Sequence, residues 1–313
     1  TVPLQFSHWG RYQARGGGVN KPAAKSASMP ADYLELTKPR LTSLVIATAM
    51  VGFLLGSPSE IDWVTGAFMI IGMIAIVGGG NALNQYWESD VDALMDRTRN
   101  RPLPTGRLTS TQAMIFGMVL SLVGLVLLVF AVAPISGALA FGGWTTYVLV
   151  YTPLKQRTAA STLIGAVPGA VPPLVGWAAA RGTLEPAIWS VFAIIFVWQI
   201  PHFFAISRHY RDDYKRGGFP MIGVYDTDGA VTGQLTVAYS LLLVPVAVLP
   251  AILGLAGASY FYGSLALGTG FLAVTVWSLR TLGAGHERWV FLGSLVYLTV
   301  LMAMLVIDRL PKV

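Results

Sequence analysis

Residues 63–83 read WVTGAFMIIGMIAIVGGGNAL, an uncharged run that leads directly into Asn84-Gln85-Tyr86-Trp87-Glu88-Ser89-Asp90-Val91-Asp92. A spanning helix needs about 20 mostly apolar residues, so this stretch argues for a membrane helix that delivers acids to the bilayer surface. Comparable runs bounded by charges or Pro/Gly turns lie at roughly 41–55, 112–130, 134–151, 159–180, 187–207, 231–254, 258–279 and 289–307. The reading is therefore an all-α, polytopic membrane protein with nine transmembrane helices. Composition agrees: of 313 residues 54% are hydrophobic and 12% charged, with mean hydropathy +0.62. The first run is short unless Lys38-Pro39-Arg40 opens it at the interface. Residues 1–32 carry Arg11, Arg15, Gly16-Gly17-Gly18, Lys21 and Lys25 with no apolar core. They read as a flexible cytoplasmic tail rather than a secretory signal, followed by one transmembrane domain over 33–313.

Charge placement tests this topology, because Lys and Arg near span ends accumulate on the cytoplasmic side. With the N-terminus inside, eighteen of the 21 basic residues fall on inside segments, leaving Arg181, Arg309 and Lys312 outside. The C-terminus then lies on the opposite side. A net charge of +6 needs no nucleic acid to explain it; topology, anionic lipid and an anionic substrate suffice. The absence of cysteine excludes disulfides, iron–sulfur clusters and thiolate catalysis.

Of fifteen acidic residues, eight sit in two inside loops, 84–111 and 208–230: Glu88, Asp90, Asp92, Asp96, Asp212, Asp213, Asp226 and Asp228. If the second span continues as a helix, Asn84, Glu88 and Asp92 recur every fourth residue and share one face. Three oxygen donors without His or Cys suit Mg²⁺, which binds a few carboxylates together with substrate phosphates. The next stretch, Arg97-Thr98-Arg99-Asn100-Arg101-Pro102-Leu103-Pro104, supplies guanidinium groups that hold phosphate oxygens in bidentate fashion. The second loop, His209-Tyr210-Arg211-Asp212-Asp213-Tyr214-Lys215-Arg216, interleaves acids and bases in the same way, whereas Asp226 and Asp228 read as capping or solvated residues.

Lys155 and Arg157 form a short loop on the same side, where topology anchoring and diphosphate binding are both open. His202, in Trp198-Gln199-Ile200-Pro201-His202-Phe203, is either a haem ligand or base, or a hydrogen-bonded histidine beside a Pro kink. Gly78-Gly79-Gly80 is expected to serve close helix packing. Gly165 to Pro173 breaks the fifth span with Gly and Pro, which either makes room for a substrate or only packs helices.

These motifs form an ordered set: Leu36-Thr37-Lys38-Pro39-Arg40, Asn81-Ala82-Leu83-Asn84-Gln85, the Arg97–Pro104 run, Tyr151-Thr152-Pro153-Leu154-Lys155, Ile164–Ala170 with Pro172-Pro173 and Gly176-Trp177, Trp198–Phe203, and Asp213-Tyr214. The set resembles the UbiA-type intramembrane prenyltransferases, in particular their haem-farnesylating branch, over roughly residues 30–310. The resemblance implies helices around a central cavity that opens toward membrane lipid, with the two inside loops capping a diphosphate site. It implies transfer of a farnesyl group from farnesyl diphosphate to a vinyl carbon of haem B, giving haem O, with Mg²⁺ as cofactor. Asn84, Glu88, Asp92 and Asp213 are then the metal residues, with Asp212 as a substitute. Arg97, Arg101, Lys155, Arg211 and Lys215 are the diphosphate residues, Tyr151 a catalytic residue, and His202 or His209 a haem contact.

Two departures from the family pattern stand out. Glu88 replaces the usual Asp, and His209 breaks the paired aspartates of the second loop. The setting implied is a bacterial cytoplasmic membrane, or alternatively the mitochondrial inner membrane, with terminal-oxidase assembly or a haem A synthase as partner. Rival readings are a quinone-pathway aromatic prenyltransferase and a non-catalytic haem or lipid transporter.

Overall fold

The computed structural model describes residues 28–58, 60–281 and 286–309; positions 1–27 of the expected tail lie outside the described residues. Among these residues every extended element is helical, and one isolated β-bridge joins Ala256 to Arg309. A short helix, Met29–Leu36, precedes the first span.

Eight helical segments among the described residues are long and apolar enough to cross a membrane: Pro39–Gly56, Trp63–Asp92, Ser110–Val132, Ser161–Arg181, Pro186–His209, Ala230–Ile252, Ala258–Thr281 and Glu287–Ile307. Residues 134–151, the ninth span expected, fall below that measure of length and apolarity. That segment is helical throughout, as Pro134–Thr145 followed by a π-helical turn, Thr146–Tyr151. Its Gly, Thr, Trp and Tyr content leaves it less apolar than the other eight.

Local chemistry sets the helix starts. Asp62 accepts the amides of Val64 and Thr65, and Thr109 with Gln112 forms a reciprocal capping box. Proline opens Pro39–Gly56 and Pro134–Thr145, where its missing N–H is harmless. Lys38, just before Pro39, adopts φ +49°. This left-handed conformation is rare for a non-glycine residue and is sustained only where surrounding contacts enforce it.

Inside a bilayer, close packing rather than water exclusion holds helices together, and small residues let backbones approach. Trp63–Asp92 meets Ser110–Leu127 along such a seam. A methyl group added at Gly79 would lie 2.6 Å from the Gly117 carbonyl, and one at Gly124 would lie 2.6 Å from the Gly72 carbonyl. The Gly79 position agrees with the packing role expected of the glycine triplet. A second tight crossing sets Gly52 on the Pro173 carbonyl and Gly176 on that of Ala49. At the back, Trp198 donates to the Ser294 carbonyl at 2.7 Å, locking Trp189–His209 onto Glu287–Ile307. Among the described residues, those that line the interior cavity run from Lys38 to Met221; the last three spans lie behind it.

Candidate active site

The Trp63–Asp92 helix continues unbroken past its apolar stretch, so the four-residue repeat brings Asn84, Glu88 and Asp92 to one side of it, each at most 3% exposed. All three line a cavity of about 370 Å³. Lys38, Arg97, Arg101 and Lys155 join them at this polar end. Each metal candidate is already held by a cation. Lys38 Nζ donates to Asn84 Oδ1 at 2.8 Å, Lys155 Nζ donates to Glu88 at 3.2 Å, and Arg101 Nη1 donates to Asp92 Oδ2 at 2.7 Å. Lys155 also sits 4.6 Å from the centre of the Phe219 ring. Burial, reinforced by the positive charge of Arg101, lowers the pKa of Lys38 to about 7.

Among the described residues that line the cavity, Asp92 is the one with a buried side-chain atom, Oδ1, that has no hydrogen-bond partner. A buried, unsatisfied carboxylate oxygen is costly, and such atoms point to a missing ligand. Beside Glu88 and Asn84 it completes a hard-oxygen set that fits Mg²⁺. No cluster of three or more acid, histidine or cysteine groups occurs among the described residues; this set consists of two acids and an amide.

The N-terminal side of the site is tied down by amides. Asn81 Nδ2 donates to the Thr37 carbonyl and to Thr42, and Gln85 Nε2 donates to the Leu36 carbonyl. Arg107 pairs with both Asp32 and Glu35 from the short first helix. These contacts hold Lys38 in its left-handed conformation against Asn84.

Toward the membrane interior the lining changes to Val45, Met73, Ile76, Trp144, Val171, Val175 and Phe203. The expected break in the fifth span falls at Val171, between Ser161–Ala170 and Pro172–Arg181, and Gly165, Pro168, Gly169 and Pro172 form cavity wall. Gln199 Nε2 donates to the Ala166 carbonyl there at 3.0 Å. Between the two zones, the π-helical turn presents Tyr147 and Tyr151 to the cavity with rings stacked 5.8 Å apart at 18°. π-Helical turns recur at functional sites. The Tyr147 hydroxyl donates to Asn81 Oδ1 at 3.2 Å.

The second loop contributes differently. Tyr214 and Met221 line the cavity, whereas Asp212, Asp213, Arg211, Lys215 and His209 do not. Asp213 is buried; it accepts the backbone N–H of Asp96 at 3.0 Å and of Arg97 at 3.4 Å, and pairs with Arg216. Burial alone would raise its pKa, but the Asp96 amide, Arg216 and the Arg97 amide outweigh it and lower the value. Arg211 donates to the carbonyls of Val224 and Thr227. Asp212, Lys215 and His209 are exposed, and His209 packs edge-on against Tyr210. His202 lies between the rings of Trp198 and Phe291, at 4.9 and 5.0 Å, with Nδ1 2.8 Å from Ser294 Oγ. Because Ser294 donates its own proton to the Phe291 carbonyl, the His202 Nδ1 carries the hydrogen in that contact.

Sequence reasoning did not name Lys38 and Tyr147 as site residues. Lys38 stood in the Thr37-Lys38-Pro39-Arg40 motif, and Tyr147 is one residue of a Tyr pair four apart, so each carried a signal.

This architecture has relatives. A family model described as the UbiA prenyltransferase family matches residues 45–305. A protoheme IX farnesyltransferase of Solibacter usitatus is 41% identical over 291 residues, covering 89% of this chain and 98% of the relative. One from Myxococcus xanthus is 41% identical over 295 residues, covering 94% and 100%. Among solved structures, a UbiA homolog from Archaeoglobus fulgidus bound to DMAPP and Mg²⁺ matches with TM-score 0.71 at 13% identity, over 88% of this chain and 97% of that one. A digeranylgeranylglyceryl phosphate synthase matches with TM-score 0.76 at 18% identity, over 89% and 98%; at such identities these two speak for the fold alone. Together the sequence match along most of its length and the shared helical architecture make this integral membrane chain a member of the UbiA prenyltransferase family.

Proposed function

We propose that the chain transfers a farnesyl group from farnesyl diphosphate to a vinyl carbon of haem B, producing haem O. The observation that carries prenyl transfer is the two-zone cavity: four cations and a carboxamide–carboxylate set at one end, and an apolar channel at the other. Such a site fits an amphiphile with an anionic head and an isoprenoid tail. The choice of haem as acceptor is supported by the names of the relatives at about 40% identity.

In this reading Asn84, Glu88 and Asp92 hold Mg²⁺, which when bound supplies positive charge that neutralises the diphosphate as it departs. Lys38, Arg97, Arg101 and Lys155 take the phosphate oxygens. The diphosphate leaves with the electrons of the allylic C–O bond. The vinyl terminus of haem B forms the new C–C bond, and water adds its hydroxyl to the adjacent carbon, releasing a proton. The faces of Tyr147 and Tyr151 lie at the junction of the two zones, where ring quadrupoles stabilise allylic positive charge. The apolar walls keep bulk water from quenching that charge early.

The charge bias of the loops supports a cytoplasmic N-terminus and loops on the cytoplasmic side, and the membrane in this reading is a bacterial cytoplasmic one. Purified protein given farnesyl diphosphate, haem B and Mg²⁺ is expected to yield a farnesylated, hydrated haem by mass spectrometry. Conversion of 4-hydroxybenzoate with no haem product would instead make it an aromatic prenyltransferase.

A further inference from the structure

The second loop of this family member has only one of its two expected aspartates, since His209 stands at the other position. We infer that Asp213 is a positioning residue for Arg97: with Tyr210 and Tyr214 it forms a clamp that aims the Arg97 guanidinium at the diphosphate, in place of a second metal site. The inference rests on the reading of Arg97 as a diphosphate ligand.

Three observations converge on Arg97. Its backbone N–H and that of Asp96 are both taken by the Asp213 carboxylate, one on each oxygen. Its guanidinium lies 5.0 Å from the centre of the Tyr210 ring and 5.6 Å from that of Tyr214, within the range of cation–π attraction. Arg97 and Tyr214 line the cavity, and Asp213 does not. The contrast with Asp92 is informative. Asp92 lines the cavity and keeps one buried oxygen without a partner, while both Asp213 oxygens are engaged, and Arg216 bridges Asp213 to Asp96. A carboxylate with filled acceptors, turned onto the backbone of the opposite loop, is built to fix that loop. Arg97 loses little freedom on binding because its main chain and its side-chain plane are both set beforehand.

The test uses full-length protein in detergent with inorganic diphosphate, so it does not depend on haem. At saturating Mg²⁺, Asp213→Ala is expected to weaken diphosphate binding at least tenfold by calorimetry. The number of Mn²⁺ ions bound per chain with diphosphate, counted by electron paramagnetic resonance, is expected to stay unchanged. In an Arg97→Ala background the same Asp213→Ala change is expected to add less than twofold, because residues acting through one another are non-additive. Tyr210→Phe is expected to bind within about threefold of the parent and Tyr210→Leu distinctly worse. Loss of a Mn²⁺ equivalent in Asp213→Ala, or full additivity with Arg97→Ala, overturns the inference. If Asp213→Ala does not fold, the Tyr210 pair decides, and equal binding by Phe and Leu overturns it. Parent protein that binds no diphosphate sinks both this inference and the prenyl-transfer reading; parent protein that binds diphosphate yet makes no haem O sinks only the proposed acceptor.

Discussion

Lys155 Nζ lies 3.2 Å from one Glu88 oxygen and 3.3 Å from the other, at the floor of the cavity. With Arg101 on Asp92, two of the site's cations neutralise its two cavity-lining carboxylates, while Lys38 is hydrogen-bonded to the uncharged Asn84. A metal and a diphosphate entering together can exchange these pairs for their own, whereas either one alone must break a pair and leave a buried partner uncompensated. Mg²⁺ is therefore expected to tighten inorganic diphosphate binding by about tenfold or more, equivalent to about 1.4 kcal/mol. Glu88→Gln is expected to release Lys155, strengthen diphosphate binding without metal, and shrink the Mg²⁺ effect. Calorimetric titrations with and without Mg²⁺ check this; an unchanged Mg²⁺ effect in Glu88→Gln contradicts it.

Asp92→Asn keeps shape and removes the charge from a cavity-lining carboxylate whose Oδ1 has no hydrogen-bond partner. Turnover is expected to fall by roughly 10²–10³, the scale of losing one transition-state electrostatic contact. Size-exclusion chromatography is expected to show an intact, monodisperse protein. Full activity in this variant would refute the metal assignment.

Tyr151→Phe retains the ring and is expected to keep kcat within a few-fold, while Tyr151→Leu is expected to lower it by tenfold or more, with a smaller effect on KM. Tyr147→Phe removes the bond to Asn81 and is expected to lower stability by about 1 kcal/mol. Steady-state kinetics and thermal melts of the three variants separate the ring effects from the hydroxyl effect. Equal kcat for the Phe and Leu forms at Tyr151 would remove the carbocation role.

Asp226 caps the Ala230–Ala247 helix by accepting the Thr232 amide at 2.7 Å. Burial works to raise its pKa, but the hydrogen bonds it takes part in, the Thr232 amide among them, prevail and leave it below the usual carboxylate value. A depressed folded pKa means the unfolded chain takes up the proton first. The stabilisation is therefore complete above the ordinary carboxylate range and disappears as pH falls through the lowered folded value. Asp226→Ala is expected to lose about 1 kcal/mol near neutral pH and to converge with the parent in acid. A melting-temperature gap that persists at low pH would contradict the cap.

Gly176→Ala is expected to destabilise the fold by about 1–3 kcal/mol or more, because the methyl group meets the Ala49 carbonyl across a helix crossing. Thermal unfolding in detergent measures it, and an unchanged midpoint would mean that the crossing can relax.

The first half of the site was legible in the sequence because Asn84, Glu88 and Asp92 lie on a single helix, and helical periodicity alone brings them together. Lys38 was not, since its approach depends on its own left-handed backbone and on the Asn81 and Gln85 amides, whose partners Thr37 and Leu36 lie 44 and 49 residues away along the chain. Tyr147 was hidden by the π-helical turn, a change of pitch that hydropathy does not register. Residues 134–151 read as a span like the others because hydropathy does not register that turn, while the glycines and hydroxyls around it make the segment less apolar than the other eight. The resemblance put Arg211 and Lys215 with the diphosphate residues, but a motif carries no information on partners: Arg211 donates to two carbonyls and Lys215 faces outward.

Among the described residues, none that lines the cavity lies beyond Met221, so the reacting surface is encoded before the ribosome reaches the last three spans. Those spans enter the bilayer afterwards and brace a chamber whose walls already exist. Inherited changes within residues 230–307 are therefore expected to reveal themselves as poor accumulation of the protein in the membrane, whereas changes of substrate preference arise from the earlier segment.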